Sequence, residues 1–379
     1  MKPAASGRHE PEAVEIERRK GEHLMLAASG MVDSLGGPGW TDVHLVHHAL
    51  PKTDLNSVDV SVSFLGHRLS APLVIASMTG GHEQAVEINR RLAAAAERHG
   101  IAMGLGSQRA ALRNPALART YSIAREAAPS AMLIGNIGAP QLVEQDAGRR
   151  VSASDLRVAV EMVRAQALAI HLNFLEEAVQ TEGNRHAAGL RAALAEAVRH
   201  AGVPVIGKET GSGLSRAAAL ELRSLGFSAL DVGGLGGTSF AAIEAERASA
   251  RGDARGHRLG EVFRGWGIPT AVSVVGAADA KLPVIATGGV RTGLDAAKAI
   301  ALGAHLVGVA RPLLEAALEG ESRIDEWIDQ FVEELRVAVW LAGGTRLDDL
   351  RTAPRVVTGE LRTWLDDLGY AVRTAAVPT

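Results

Sequence analysis

Between residues 72 and 309 the sequence repeats one rhythm. A short, nearly unbroken apolar run is followed by a longer stretch rich in Ala, Leu, Arg and Glu. The runs fall at 73–78, 102–105, 132–134, 167–172, 203–207, 229–232, 283–286 and 306–309, eight in all. Stretches with helical spacing lie between them at 87–99, 153–165, 189–200, 216–225, 271–278 and 293–302. A strand that is apolar throughout is buried on both faces, which marks a parallel sheet covered by helices. Eight such units point to a closed sheet, so the spacing predicts an α/β fold, a (β/α)8 TIM barrel over residues 72–322.

The flanks read differently. Residues 1–15 are polar and are expected to form a disordered tail. Residues 16–71 form an N-terminal segment with a basic helical stretch and, at 58–69, an alternation of apolar and polar residues. That alternation predicts an antiparallel hairpin turning near Gly66. The stretch 236–268, enriched in Gly, Arg and Asp, reads as a mobile insertion over the barrel rim. Residues 323–379 read as a helical tail.

Composition narrows the function. Aromatics are only 3% of a chain that is 47% hydrophobic, which favours close packing by Ala and Gly. A net charge of −3 gives no electrostatic case for nucleic acid or an anionic membrane. With no Cys there is no thiolate ligand, disulfide or cysteine nucleophile. No apolar run reaches the ~18 residues of a membrane span, and the first residues lack the apolar core of a signal peptide. A cytoplasmic location is the expectation.

In such a barrel, chemistry sits on the loops that follow the strands. Every predicted strand here ends in polar or glycine-rich sequence. The ends are Ser77-Met78-Thr79-Gly80-Gly81, Gly106-Ser107-Gln108-Arg109, Gly135-Asn136-Ile137-Gly138 and His171-Leu172-Asn173-Phe174-Leu175-Glu176-Glu177. They continue with Lys208-Glu209-Thr210-Gly211, Gly233-Gly234-Leu235-Gly236-Gly237-Thr238, Thr287-Gly288-Gly289-Val290-Arg291 and Ala310-Arg311-Pro312. Gly288, Gly289 and Arg291, just before a helix opening near Gly293, suit a phosphate, with the amides at the helix start as donors. Lys208 sits at a buried strand end. It therefore needs an anionic partner, either a neighbouring carboxylate or a cofactor ring that becomes anionic on reduction. No Gly-x-Gly-x-x-Gly stands at a strand–helix turn, so no built-in dinucleotide domain is expected.

Together with Arg19-Lys20-x-x-His23-Leu24 and Glu182-Gly183, these motifs in this order resemble the type 2, FMN-dependent isopentenyl diphosphate isomerases, from about Arg18 to Gly344. The resemblance implies interconversion of isopentenyl and dimethylallyl diphosphate in isoprenoid biosynthesis, with reduced FMN, Mg²⁺, NADPH as a transient reductant, and a homotetramer or homo-octamer. It implies that Ser77, Met78, Thr79, Ser107, Asn136, Lys208 and Thr238 line the flavin. Gly288, Gly289, Arg291, Ala310 and Arg311 would surround its phosphate. Arg19, Lys20, His23, Arg109, His171 and Asn173 would hold the substrate diphosphate, and Glu177 would hold Mg²⁺. Where that family carries Gln, this chain has Glu176, an acceptor only when ionised. Glu176 and Lys208 are the catalytic candidates. Two alternatives stay open, an FMN-dependent oxidoreductase and a divergent paralogue acting on another prenyl phosphate.

Overall fold

The computed structural model describes residues 12–146 and 149–372. Eight parallel strands form a closed barrel in which each strand pairs with its neighbours in sequence. They are β1 (Leu73–Ile75), β2 (Ala102–Gly104), β3 (Leu133–Gly138), β4 (Ala167–Leu172), β5 (Val205–Glu209), β6 (Ala229–Asp231), β7 (Val284–Thr287) and β8 (Leu306–Val309). The sheet closes through β6–β7 and β8–β1 pairing. The (β/α)8 expectation is met, with each strand within a few residues of its apolar run.

The barrel is filled by small and branched side chains, among them Val74, Ile134, Ala169, Ile206 and Ile285. Phe64 and Leu69 join the same cluster. They come from the hairpin Val62–Phe64 and His67–Leu69, which thereby plugs the bottom of the barrel. Its turn residues, Leu65 at φ 48° and Gly66 at φ 84°, carry the left-handed twist that a two-residue hairpin loop needs. Each buried plug side chain contributes ~1.5–3 kcal/mol. A second, larger cluster fills the space between the strands and the outer helices.

Three expectations on the flanks change. The segment expected as a mobile insertion holds helices Phe240–Ala250 and Ala254–Phe263, packed on each other. The Asp in its Gly-Arg-Asp stretch is an N-cap: Asp253 accepts from the amides of Arg255 and Gly256. Gly260 lets the helices approach, since a Cβ there would lie 2.7 Å from that of Ala245. The stretch expected as a disordered tail overlaps the start of helix Glu12–Ala28; residues 1–11 lie outside the described residues. The C-terminal segment is not wholly helical. Between helices Glu321–Leu341 and Gly359–Asp367, Arg355–Val357 pairs antiparallel with Val43–Leu45. Among the described residues, no helix is long and apolar enough to cross a membrane.

Candidate active site

One cavity of about 1720 Å³, counting its open mouth, lies at the C-terminal ends of the strands. Every residue to which the resemblance gives a cofactor, substrate, metal or catalytic role lines it, whereas Glu182 and Gly183 do not. The N-terminal helix supplies one wall. Arg19, Lys20, His23, Leu24 and Ala27 all line the cavity, spaced as one face of a helix. Lys20 Nζ donates to the Ser107 carbonyl (2.5 Å) and to the Tyr121 hydroxyl (2.6 Å), which fastens the helix to the loop after β2. Burial, with Arg19 and Arg109 close by, lowers the Lys20 amine to about 7. A site that crowds three cations is built to receive a multiply charged anion.

The strand register organises the floor. His171, Lys208 and Asp231 lie side by side on β4, β5 and β6 and, being paired in register, point to the same side of the sheet. The carboxyls of Asp231 and Glu209 both feel the charge of Lys208. Burial raises the Asp231 carboxyl, and Lys208 opposes that rise. Sequence reading passed over Asp231 because it sits inside an apolar run. Lys208 Nζ also donates to the Glu209 carbonyl at 3.0 Å. Asn136 donates through Nδ2 to the Leu105 carbonyl (3.0 Å), so its Oδ1, 2.8 Å from His171 Nδ1, accepts. Burial, with Lys208 and Lys20 nearby, lowers the His171 imidazole to about 3, so the ring is neutral with its proton on Nδ1.

Glu177, at the start of the short helix Phe174–Val179, is buried and held by its own loop. Its Oε2 accepts from the Asn184 amide at 2.5 Å and from Asn184 Nδ2 at 3.3 Å. Its Oε1 has only the longer contacts with Gln141 (3.2 Å) and Asn173 (3.5 Å) and keeps capacity for a cation. Asn173 donates to Glu176 Oε2 at 3.0 Å, and its own buried Oδ1 has no donor. Burial raises the Glu176 carboxyl; Glu177 and Glu244 add to the rise while His23 and Asn173 oppose it.

Two supports were not legible locally. Arg247, with its side chain 2% exposed, joins Glu22 of the N-terminal helix, Glu182 of the loop after β4 and Glu244 of its own helix. Glu244 in turn meets His23 at 2.7 Å. Asp33, just past the N-terminal helix, grips Arg311 through both carboxylate oxygens and lies 3.7 Å from Arg291.

The opposite wall is backbone. The loops after β6 and β7 meet so closely that a Cβ on Gly289 (φ +68°) would sit 2.4 Å from the Gly236 carbonyl, and one on Gly288 2.2 Å from that of Gly234. The helix-start amides after β7 are not open, contrary to the sequence expectation. Arg291 and Thr292 donate to Asp295, and Gly293 donates to Glu334. By contrast, the helix Arg311–Glu319 opens at Ala310 with no side-chain cap. An anion on this wall therefore meets the Gly237–Gly289 junction and the Ala310 helix start.

The family profile of FMN-dependent dehydrogenases matches residues 38–118 and 267–357. Among solved structures, the fold is similar to that of a lactate oxidase of Pediococcus acidilactici, with a TM-score of 0.63 at 15% identity over 93% of this chain and 96% of that one. It is likewise similar to a mandelate oxidase mutant with a monooxide FMN adduct, with a TM-score of 0.57 at 19% identity over 89% and 92%. At these identities the likeness is one of fold. Curated relatives are far nearer. A Methanoregula boonei protein named isopentenyl-diphosphate delta-isomerase is 49% identical over 92% of this chain and 96% of its own. Proteins of the same name from Methanothermobacter thermautotrophicus (47%, 95% and 99%) and Halobacterium salinarum (46%, 94% and 97%) match as closely in extent. With a cavity of this construction and relatives of this similarity, the chain belongs to the isopentenyl-diphosphate delta-isomerase family.

Proposed function

We propose that this protein interconverts isopentenyl and dimethylallyl diphosphate, using reduced FMN and Mg²⁺. The observation that carries the reading is one cavity with two unlike walls, one crowded with cations and carboxylates and the other made of glycine backbone. The glycine wall fits a flavin phosphate. Only glycine is tolerated at the close approach, and the Gly237–Gly289 junction, the Thr238 hydroxyl and the uncapped Ala310 helix start supply neutral donors. Ser77, Met78, Thr79, Ser107, Asn136 and Lys208 would line the ring. Arg311 contributes through its Asp33 pair, which ties the chain past the N-terminal helix to this wall.

When bound and reduced, FMN would supply the proton donor and acceptor for the double-bond shift. Lys208, whose amine donates to the Glu209 carbonyl and lies in register beside Asp231, would face the flavin from the cavity floor. Arg19, Lys20 and Arg109 bind the diphosphate, and His171 joins them once the anion favours its charged form. His23 braces that wall through Glu244. Mg²⁺ would be held by Glu177 Oε1, a carboxylate oxygen engaged by only two long amide N–H contacts. Glu176 is held by Asn173 Nδ2, and burial favours its neutral acid, which can hold a proton on its carboxyl beside the alkene. NADPH is the transient reductant in this reading, and the assembly a homotetramer or homo-octamer in the cytoplasm.

The test is to incubate flavin-loaded protein with a reductant, Mg²⁺ and labelled isopentenyl diphosphate. Acid-labile dimethylallyl product is expected, and its absence with flavin retained on the protein would overturn the reading.

A further inference from the structure

We propose that His23 and Glu176, backed by Glu244, form a site for a borderline divalent cation such as Zn²⁺, separate from the Glu177 carboxylate. Glu176 lines the cavity wall with its side chain 12% exposed, and one of its oxygens is already fixed: Oε2 accepts from Asn173 Nδ2 at 3.0 Å. The other, Oε1, faces His23 Nδ1 at 4.0 Å. That separation is too long for a hydrogen bond. It admits a cation bonded to each atom at ~2.0–2.2 Å after a slight closing of the pair.

The imidazole is prepared for this. Its Nε2 lies 2.7 Å from Glu244 Oε1, and the other Glu244 oxygen is taken by Arg247. This contact places the ring proton on Nε2 and leaves the Nδ1 lone pair directed at Glu176. A carboxylate behind a histidine that faces an open ligand position is the usual second layer of a metal site. His23, Glu176 and Glu244 bring one ligand atom each within 4.8 Å of one another.

Charge points the same way. Glu244 has Arg247 as its counter-ion, whereas Glu176 has no Lys or Arg within ion-pair distance among the described residues. A divalent ion between Glu176 and His23 would take the place of the proton on the Glu176 carboxyl and supply the counter-ion that this side chain lacks. Independently, the Asn173 side chain, on a residue 6% exposed, leaves Oδ1 without a donor while lining the same cavity. The mixed imidazole and carboxylate set selects Zn²⁺, Co²⁺ or Mn²⁺ over Mg²⁺, which prefers oxygen ligands and retains its waters. An ion here would tie the N-terminal helix to the end of β4 and exclude the organic end of a substrate, so it inhibits. The site stands on the arrangement of these three side chains and does not depend on the reaction proposed above.

The experiment is calorimetric titration of Zn²⁺ into the flavin-loaded full-length protein under saturating Mg²⁺, without substrate. One micromolar site per chain is expected. It should weaken at least tenfold in Glu176→Gln and in His23→Ala and stay unchanged in Glu177→Gln, all with flavin content and circular dichroism preserved. The zinc X-ray absorption edge should report one imidazole among oxygen ligands. Absence of this site, or its persistence in either of the first two variants, overturns the proposal. Should Glu176→Gln fail to fold, His23→Ala decides alone, because it removes the ring from the N-terminal helix without altering β4. A protein that binds zinc but does not isomerise refutes only the isomerase reading; one that isomerises without the zinc site refutes only this one.

Discussion

The two walls of the cavity are made by different means. The wall after β6 and β7 is made of what glycine lacks: no side chain fits where those loops touch, and the shape is held by backbone contact. The wall formed by the N-terminal helix and the end of β4 is made of long charged side chains drawn from distant parts of the chain. The first kind of wall is rigid and locally encoded. The second can be retuned one residue at a time, but it collapses if a shared counter-ion is lost.

The largest effect expected from that difference is at Arg247. Arg247→Met removes the arginine partner of buried Glu244, while Glu22 and Glu182 keep Arg18 and Arg251, and should cost ~3–5 kcal/mol of stability, read as a fall in thermal midpoint. Flavin retained by the surviving folded protein should be near normal; flavin lost in proportion would show that the walls are not independent. Next is Gly289→Ala. A left-handed alanine costs ~1–2 kcal/mol and its overlap with Gly236 adds to that, so flavin remaining after desalting should fall about a hundredfold. An unchanged flavin content would break the comparison.

Lys20 offers a subtler probe. Its amine is lowered from 10.5 to about 7, so in that interval the unfolded chain binds the extra proton. Stability therefore rises with pH across the window from about 7 to 10.5, and the penalty is full below it. An incoming diphosphate reverses the shift. Binding at pH ~8 should take up part of a proton, seen by calorimetry in buffers of differing ionisation enthalpy, and Lys20→Met should reduce that uptake. The smallest effect belongs to neither wall. Gly66→Ala in the hairpin, at φ +84°, should cost ~1 kcal/mol and leave both flavin content and turnover intact.

This contrast also explains what could be read from the sequence. The barrel was legible because each strand is an unbroken apolar run, and the glycine wall because Gly288 and Gly289 stand at a strand end. The charged wall was legible only in part. Lys20, His171 and Glu177 sit in recognisable clusters, but Asp231 lies within an apolar run, and nothing local marks Asp33, Glu244 or Arg247 as partners. The helices Phe240–Ala250 and Ala254–Phe263 were hidden because Gly260 and Asp253, which read as loop residues, serve as a packing contact and a cap. The strand Arg355–Val357 exists only through pairing with Val43–Leu45, far back along the chain.

The N-terminal helix has a bearing on how the protein assembles. Its fastenings run from Lys20 to Ser107, from His23 to Glu244 and from Asp33 to Arg311, separations of 87, 221 and 278 residues. Contacts this distant in sequence form late, since a long loop must close before any of them contributes. The helix Glu12–Ala28 is thus expected among the last pieces to dock, once the chain beyond residue 311 is in place. In the finished protein the same segment is expected to be a separately opening unit, and its detachment at equilibrium gives a flavin a way in without unfolding the barrel.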